Sequence, residues 1–331
     1  MRHYTSIEEV MADAPDNEHI KDSLLKTFMY IHEHEAPLVS ISGGADSDVI
    51  LDLCYMCDFD KKCSYVWCDT GLEYKATKEH LVFLEEKYGI TIQRKRPLKS
   101  IPYTCYTVGQ PFGNKDISER LRRAQKHGFQ WEDEPYEVLM ERYPNMKSVL
   151  DWWCSASSHG ENSQFSIAKH RYLKEFIMQN PPNFKISNVC CQYAKKDLVH
   201  KIIREGGYDL SIIGVRKAEG GLRATSYHSC FDEGATYDNF RPIFWYTNDD
   251  RREYEQYYSV IHSRCYTEYG LKRTGCAGCP YAGKNLEFEL EVMEKYEPEL
   301  FKAVNKVFKE SYEYTKQYRQ FAAEQKAKER T

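Results

Sequence analysis

Pro37-Leu38-Val39-Ser40-Ile41-Ser42-Gly43-Gly44-Ala45-Asp46-Ser47-Asp48-Val49-Ile50-Leu51-Asp52-Leu53-Cys54 is an apolar run, a glycine turn and a second apolar run. The first run, Pro37 to Ser42, has the length of a buried strand, and Asp48 to Cys54 reads as a helix. A strand that enters a helix through glycines suits an anion. Glycines let backbone N–H groups approach phosphate oxygens, Ser42 and Ser47 add hydroxyl donors, and the helix start contributes partial positive charge. The alternative is a plain glycine turn in which Asp46 and Ser47 only cap the helix. The loop is neither G-x-x-x-x-G-K-[ST] nor G-x-G-x-x-G.

The flanking sequence repeats the alternation. Residues 16–33 carry Ile20, Leu24, Leu25, Phe28 and Ile31 at helical spacing. Cys63 to Cys68 reads as a second strand closed by Asp69-Thr70-Gly71, followed by a charged helix over about 75–88 and a strand from Ile90 to Arg94. Asp209 to Gly214 is another apolar run. A β-α-β-α-β series of this kind predicts an α/β fold, a parallel sheet with helices on both faces. The stretch from Pro97 to Pro182 is rich in Trp, Tyr, Lys and Arg, with helices expected near 117–126 and 164–178. After Arg241-Pro242-Ile243 the pattern turns mostly helical, and 287–330 is a long charged helical pattern with apolar residues at Leu290, Met293, Leu300, Val304 and Phe308. The expected organisation is a nucleotide-binding α/β domain over 1–245, interrupted by a helical insertion at about 97–182, and a helical region over 246–331.

Composition narrows the function classes. Of 331 residues, 41% are hydrophobic and 29% charged, as in a globular protein. The first residues lack the apolar core of a secretion signal, and no stretch approaches the roughly 18 uncharged apolar residues of a membrane span. The sequence therefore reads as cytoplasmic, with no membrane partner. In a reducing compartment the 12 cysteines are not a disulfide framework. The net charge of −4 and the absence of a Lys/Arg block give no duplex-binding footprint, while leaving a small nucleotide open.

With the loop in its strand–helix context, S-G-G-x-D-S resembles the PP-loop of the N-type ATP pyrophosphatases, and a larger part of the chain resembles the phosphoadenylylsulfate reductase family. The resemblance implies a Rossmann-like, adenine nucleotide α-hydrolase-like fold. It also implies nucleotide binding by Ser42, Gly43, Gly44, Asp46 and Ser47. Asp69-Thr70-Gly71 matches the family's D-T-G segment at the end of the second strand, where Asp69 is suited to Mg²⁺ or a ribose hydroxyl. Its alternative is a turn former. Gly214-Val215-Arg216-Lys217-Ala218-Glu219-Gly220-Gly221-Leu222-Arg223-Ala224 is similar to the family's G-x-R-x-x-E-S-x-x-R-A. Arg216 and Arg223 are thereby candidate bidentate ligands of a phosphate or sulfate, though Gly220 replaces the family serine. Lys115 is a further candidate anion ligand.

Cys190-Cys191 and Cys276-Ala277-Gly278-Cys279 form a C-C…C-x-x-C set. Four thiolates can hold zinc or a four-iron cluster. Adjacent cysteines are awkward around one tetrahedral ion, and the wider corners of a 4Fe-4S cubane suit them better, so the iron–sulfur cluster is favoured over zinc. The order resembles that of the cluster-bearing adenylylsulfate reductases, and Lys195 matches a lysine near their cluster. A closer similarity is to the reductase-like proteins of phages and mobile elements, carried by Phe184-Lys185-Ile186-Ser187-Asn188-Val189-Cys190-Cys191 and Arg273-Thr274-Gly275-Cys276. Cys54-Tyr55-Met56-Cys57 also spells C-x-x-C, but on an apolar helix it reads as core packing.

The resemblance implies an enzyme, but two reactions remain open. The sulfonucleotide reductases attack sulfur with a cysteine on a C-terminal tail, and no cysteine follows Cys279. The preferred expectation is therefore an ATP pyrophosphatase and sulfurtransferase. It would bind ATP with Mg²⁺, adenylate a substrate and transfer sulfur to it, in the manner of tRNA thiolases and the DNA phosphorothioation sulfurtransferase. A cysteine desulfurase is a candidate sulfur donor, and a nucleic acid a candidate acceptor. The alternatives are reduction of adenylylsulfate or phosphoadenylylsulfate (APS or PAPS) to sulfite, with Cys105 or Cys154 as a substitute thiol, and a nucleotide-binding redox sensor without turnover.

Overall fold

The computed structural model describes residues 2–157, 160–163, 165–220 and 226–329. It divides into two compact units, one of residues 1–98 and 194–277, the other of residues 99–193 and 278–331. This division differs from the expected boundary at 245. The stretch anticipated as an insertion forms its own unit with the last helices, because its aromatic side chains bury one another rather than the sheet.

The first unit holds a six-stranded sheet in the order β3-β2-β1-β4-β6-β5. Its strands are β1 (Pro37–Ser40), β2 (Ser64–Cys68), β3 (Ile92–Lys95), β4 (Leu210–Ile213), β5 (Phe231–Asp232) and β6 (Asp238–Phe240). All neighbours pair in parallel except β5 with β6. The parallel sheet is the one that the β-α-β-α-β pattern called for. The short β5 and β6 were not anticipated, since Asp238-Asn239-Phe240 lacks the apolar run that marks a strand.

Four helices precede β3: α1 (Ile7–Ala12), α2 (Glu18–Glu33), α3 (Ala45–Cys57) and α4 (Lys75–Tyr88). The Asn17 side chain accepts from the Ile20 amide and so starts α2. Gly89, at φ +63°, ends α4 in the left-handed conformation. Helix α3 begins three residues earlier than the apolar pattern suggested, so Asp46 and Ser47 lie in its first turn. Its Cys54 and Cys57 are buried in the main core with Val39, Val49, Leu53 and Ile212, where Cys57 Sγ donates to the Leu24 carbonyl at 3.4 Å. The packing reading of that C-x-x-C pair holds.

Strand β1 lies between β2 and β4, so the chain leaves it toward β2 while β4 flanks its other side. This is a topological switch point, where open α/β sheets place ligands beyond the carboxyl ends of the strands. Ser40 pairs with Val66 and Ile213 in register. The segments after β2, β1 and β4 therefore emerge on one edge of the sheet.

The second unit contains α5 (Ile101–Thr107), α6 (Lys115–Lys126), α7 (Tyr136–Arg142), α8 (Lys147–Trp153), α9 (Leu173–Gln179) and α10 (Val189–Cys191). It closes with helices Leu286–Tyr296, Pro298–Val307 and Lys309–Lys328. The long charged helical pattern of the tail is thus divided among three helices. Pro298 has no N–H to continue a helix but suits a first turn, so it opens a new one. The helix expected over 164–178 shortens to α9, preceded by a 3₁₀ turn at Ile167–Lys169. Phe112, Phe129, Trp152, Trp153, Phe176, Phe184 and Tyr314 pack into this unit's core. Most of the aromatic richness of the region is spent there.

Candidate functional site

The glycine loop has a bonding pattern of its own. The Ser42 and Gly43 amides donate to Ser47 Oγ at 3.0 and 3.2 Å, and the Gly44 amide donates to Ser42 Oγ at 3.3 Å. The Ala45 amide donates to the Tyr266 hydroxyl at 3.1 Å. Four successive N–H groups thus end on hydroxyl oxygens rather than carbonyls. Such an array at a helix start is a nest for anionic oxygens, and a hydroxyl can rotate away from it. Gly43 sits at φ +69°, and a Cβ there would stand 2.7 Å from Thr77 Cγ2. At Gly44 a Cβ would stand 3.0 Å from Thr274 Oγ1 and 3.2 Å from the Tyr266 hydroxyl. Neither glycine tolerates a side chain without a neighbour moving.

Two of the sequence-singled segments meet this loop. A Cβ on Gly214 would stand 3.1 Å from the Asp46 carbonyl oxygen, so the end of β4 runs against the loop backbone. Arg216 follows, buried, with its Nε donating to Asp46 Oδ1 at 2.8 Å and Nη1 to Asn248 Oδ1 at 3.0 Å. Arg251 Nη1 donates to the same Asp46 oxygen at 3.3 Å. Asp46 is therefore an anchor for two guanidinium groups at the rim of the loop, a role that neither the nucleotide-binding nor the capping expectation included.

On the β2 side, Asp69 Oδ1 accepts from the Gly71 amide at 3.0 Å, and its Oδ2 lies 3.5 Å from Arg96 Nε. The turn-forming role is thus present in the structure. Thr70 Oγ1 donates to Glu73 Oε1 at 2.6 Å. Burial raises the Glu73 carboxyl to about 7, against the pull of Lys195 and the Thr70 hydroxyl. Burial likewise pushes the Cys68 thiol up to about 11, again against Lys195. Lys195 thus stands within electrostatic reach of the β2 edge.

The segment before the C-x-x-C pair belongs to this unit as well. The Thr274 amide donates to the Tyr266 hydroxyl at 3.1 Å, and the Ala277 amide donates to the Leu72 carbonyl at 2.7 Å. Cys276 lies between these two anchors, on a strap tied at one end to the glycine loop through Tyr266 and at the other to the segment after β2.

Cys190, Cys191 and Cys279 belong to the second unit. There the Cys105 thiol is hydrogen-bonded to Cys190 and pushes its titration up. Burial and the Cys279 thiol act in the same direction, and Cys191 acts against them. Burial, with Cys190, Cys191 and Cys279 adding negative potential, also pushes the Tyr281 hydroxyl up. Three of the four sequence-assigned thiols are thereby gathered with Cys105, which α5 brings alongside α10. Cys105 also lines an open cavity of about 510 Å³ with Tyr106, Phe129, Trp131, Phe184 and Lys185. Among the described residues, no group of three or more His, Cys, Asp or Glu side chains converges on one ion-sized point. An all-thiol donor set is the kind that suits iron–sulfur clusters.

The remaining assignments are quickly placed. Lys115 is exposed at the first position of α6 in the second unit, where its carbonyl accepts from Asn188 Nδ2 at 3.5 Å. Arg223 lies outside the described residues. Sequence reasoning missed Tyr266, Thr274, Arg251, Glu255 and His262, which reach the loop or its neighbours only through tertiary contacts. A local signal existed for Thr274 alone, in the R-T-G-C run. No described helix is long and apolar enough to cross a membrane.

Comparison with known proteins gives similar solved structures and a match to a family model. Phosphoadenylyl-sulfate reductase from Candida auris, solved as a phosphate complex, is 11% identical over 83% of this chain and 96% of that chain, with a TM-score of 0.41. The NH3-dependent NAD synthetase of Campylobacter jejuni is 13% identical over 88% and 94%, at a TM-score of 0.35. The U34-tRNA thiolase NcsA of Methanococcus maripaludis, solved with its [4Fe-4S] cluster, is 12% identical over 91% and 80%, at 0.37. A search among curated proteins gives no significant match. Residues 36–128 match the phosphoadenosine phosphosulfate reductase domain, the family to which the sequence resemblance pointed.

Proposed function

We propose that this chain is a PP-loop enzyme that binds ATP on the Ser42–Ser47 loop, cleaves it to AMP and pyrophosphate to activate a substrate, and transfers sulfur to that substrate. The observation that carries the reading is the run of four amides from Ser42 to Ala45 that end on rotatable hydroxyl oxygens, flanked by Arg216 and Arg251. When those hydroxyls turn away, the amides and the start of α3 can take phosphate oxygens instead. The guanidinium groups on Asp46 would stabilise charge that develops on the departing pyrophosphate.

In this reading a substrate oxygen attacks the α-phosphorus, and the bond to the β-phosphate oxygen breaks as pyrophosphate leaves with its electron pair. A sulfide-level sulfur nucleophile then displaces AMP from the adenylated substrate. The residues that would hold an iron–sulfur group are Cys190, Cys191, Cys276 and Cys279, and such a group would supply or deliver sulfur, or carry electrons. Cys276 lies on the strap anchored at the phosphate loop, which supports a link between thiol chemistry and nucleotide.

Reduction of adenylylsulfate or phosphoadenylylsulfate to sulfite is the second reading, favoured by the domain match over 36–128. One experiment separates the readings. Anaerobically purified protein is given ATP and Mg²⁺, or adenylylsulfate with a dithiol reductant. AMP and pyrophosphate support the first reading, sulfite the second, and tight nucleotide binding without product a sensor. A protein that binds no adenine nucleotide refutes all three.

A further inference from the structure

A chain of charged groups that no sequence motif marks runs from the core to the phosphate loop. It begins at Asp48, fully buried one turn into α3. His80 Nε2 lies 3.0 Å from Asp48 Oδ1, and His262 Nδ1 lies 2.8 Å from Oδ2. On its other side His262 Nε2 stands 3.1 Å from Glu255 Oε1, and that same oxygen stands 3.2 Å from Arg251 Nε. Arg251 Nη1 then reaches Asp46 Oδ1, 3.3 Å away in the first turn of α3. Of these contacts, His262–Asp48 and Arg251–Asp46 have hydrogen-bond geometry, whereas the others are close approaches without it.

The two arginines on Asp46 are not equivalent. Arg216 is nearly all buried and commits Nη1 to Asn248 Oδ1 at 3.0 Å, so it is fixed. The Arg251 side chain is 24% exposed, and its one side-chain hydrogen bond among the described residues is the long one to Asp46. A guanidinium has five N–H donors in a planar fork. Arg251 therefore keeps donors for a further anion at the rim of the loop. Asp46 is shared between two guanidinium groups, and the Glu255 carboxylate beside Arg251 is itself opposed by His262.

Resting on the nucleotide-binding reading above, we infer that Arg251 is a second phosphate-contacting cation of the site, kept available to the loop because His262 offsets the pull of Glu255. Glu255 and His262 are positioning residues, because they act through Arg251. Burial works against a charged His262, but the Asp48 and Glu255 carboxylates outweigh it and raise His262 to about 9. The groups facing His262 are Asp48 from α3, Glu255 from helix Asn248–Tyr257 and the Tyr266 ring at 5.8 Å, with His80 behind Asp48 and Arg251 beyond Glu255. While His262 is protonated, it balances Glu255 and leaves Arg251 free to face the loop. Once it is neutral, Arg251 is the cation left beside Glu255 among the described residues, and Glu255 draws it off the loop.

The test measures ATP and adenosine binding to the whole protein by calorimetry between pH 7 and 10. Arg251→Gln should weaken ATP roughly 10- to 100-fold, the range for a charged hydrogen bond, and leave adenosine unchanged. Arg251→Lys, which keeps charge without the fork, should recover part of the loss. Wild-type ATP affinity should fall as pH rises through about 9, and His262→Gln should be weaker at pH 7 and flat across the range. Wild-type ATP affinity in Arg251→Gln overturns the inference, as does an equal loss of ATP and adenosine. An unchanged pH profile in His262→Gln overturns the positioning role. Wild-type protein that binds no ATP refutes the nucleotide reading itself, which separates that failure from failure of Arg251.

Discussion

Gly43→Ala is the sharpest test of the loop geometry, because its cost has two separable parts. The residue sits at φ +69°, where a Cβ meets the following carbonyl and costs about 1–2 kcal/mol. The added Cβ would also stand 2.7 Å from Thr77 Cγ2, well inside the roughly 3.5–4.0 Å of a carbon–carbon contact. Thr77 is buried and its Oγ1 lies 3.6 Å from Cys265 Sγ, so its methyl cannot turn aside without giving up that contact. Overpacking of this kind costs about 1–3 kcal/mol. The whole substitution should therefore destabilise the protein by about 2–5 kcal/mol. Thr77→Ser removes the methyl and keeps the hydroxyl, and in that background Gly43→Ala should cost only the backbone part. Gly71→Ala is the control, since Gly71 has φ +84° and nothing within 4 Å of its Cβ position. Urea unfolding of the four proteins and the double variant gives the coupling energy directly. Equal costs for Gly43→Ala with and without the Thr77 methyl would refute the packing argument. A cost below that of Gly71→Ala would refute the backbone argument too.

Other expectations follow from the same structure. Glu73, raised to about 7, contributes stability that is present below its ordinary value near 4.5 and is lost as pH rises through about 7. The unfolding free energy should therefore fall between pH 4 and 8 by an amount on the order of 3 kcal/mol that Glu73→Gln abolishes; parallel profiles for the two proteins would count against it. For His262 the sign is that of a base: the stabilisation is complete below about 6.5 and lost as pH rises through about 9, so His262→Gln should cost stability at pH 6 and little at pH 10. Gly109→Ala, at φ +141° with its Cβ 2.4 Å from the Lys185 carbonyl oxygen, should strongly destabilise the second unit, read from the fluorescence of Trp131, Trp152 and Trp153. Single Cys→Ala changes at 190, 191, 276 and 279 should each lower the iron and sulfide content of anaerobically purified protein, while Cys105→Ala should leave it near the wild-type level. Loss of iron only in Cys105→Ala would reassign the ligand set.

The sheet was legible because its signal is local. Pro37 to Ser40, Ser64 to Cys68 and Leu210 to Ile213 are apolar runs of strand length, and buried parallel strands take that form. Strand β6 was not legible, since Asp238-Asn239-Phe240 earns its place by pairing with β4 rather than by composition. The breaks within the helical tail were not legible, because its apolar spacing continues across Pro298, which opens a new helix. The unit boundary was missed for a similar reason, as the contacts that join residues 99–193 with 278–331 leave no trace in linear order.

By itself the sequence determined the glycine loop between strand and helix, the three segments that end β2, β1 and β4, and the spacing of the C-C…C-x-x-C set. Each depends on neighbours within a few residues: a glycine that frees φ, a hydroxyl that meets an amide, a pair of adjacent cysteines. Only the tertiary structure decided which charges act on the loop. Arg251 is 205 positions from Asp46, and His262 is 214 from Asp48. Coulomb forces depend on separation in space, and the fold, not the order of residues, sets that separation. The same holds for Cys105, an unremarkable thiol along the chain until α5 brings it against Cys190.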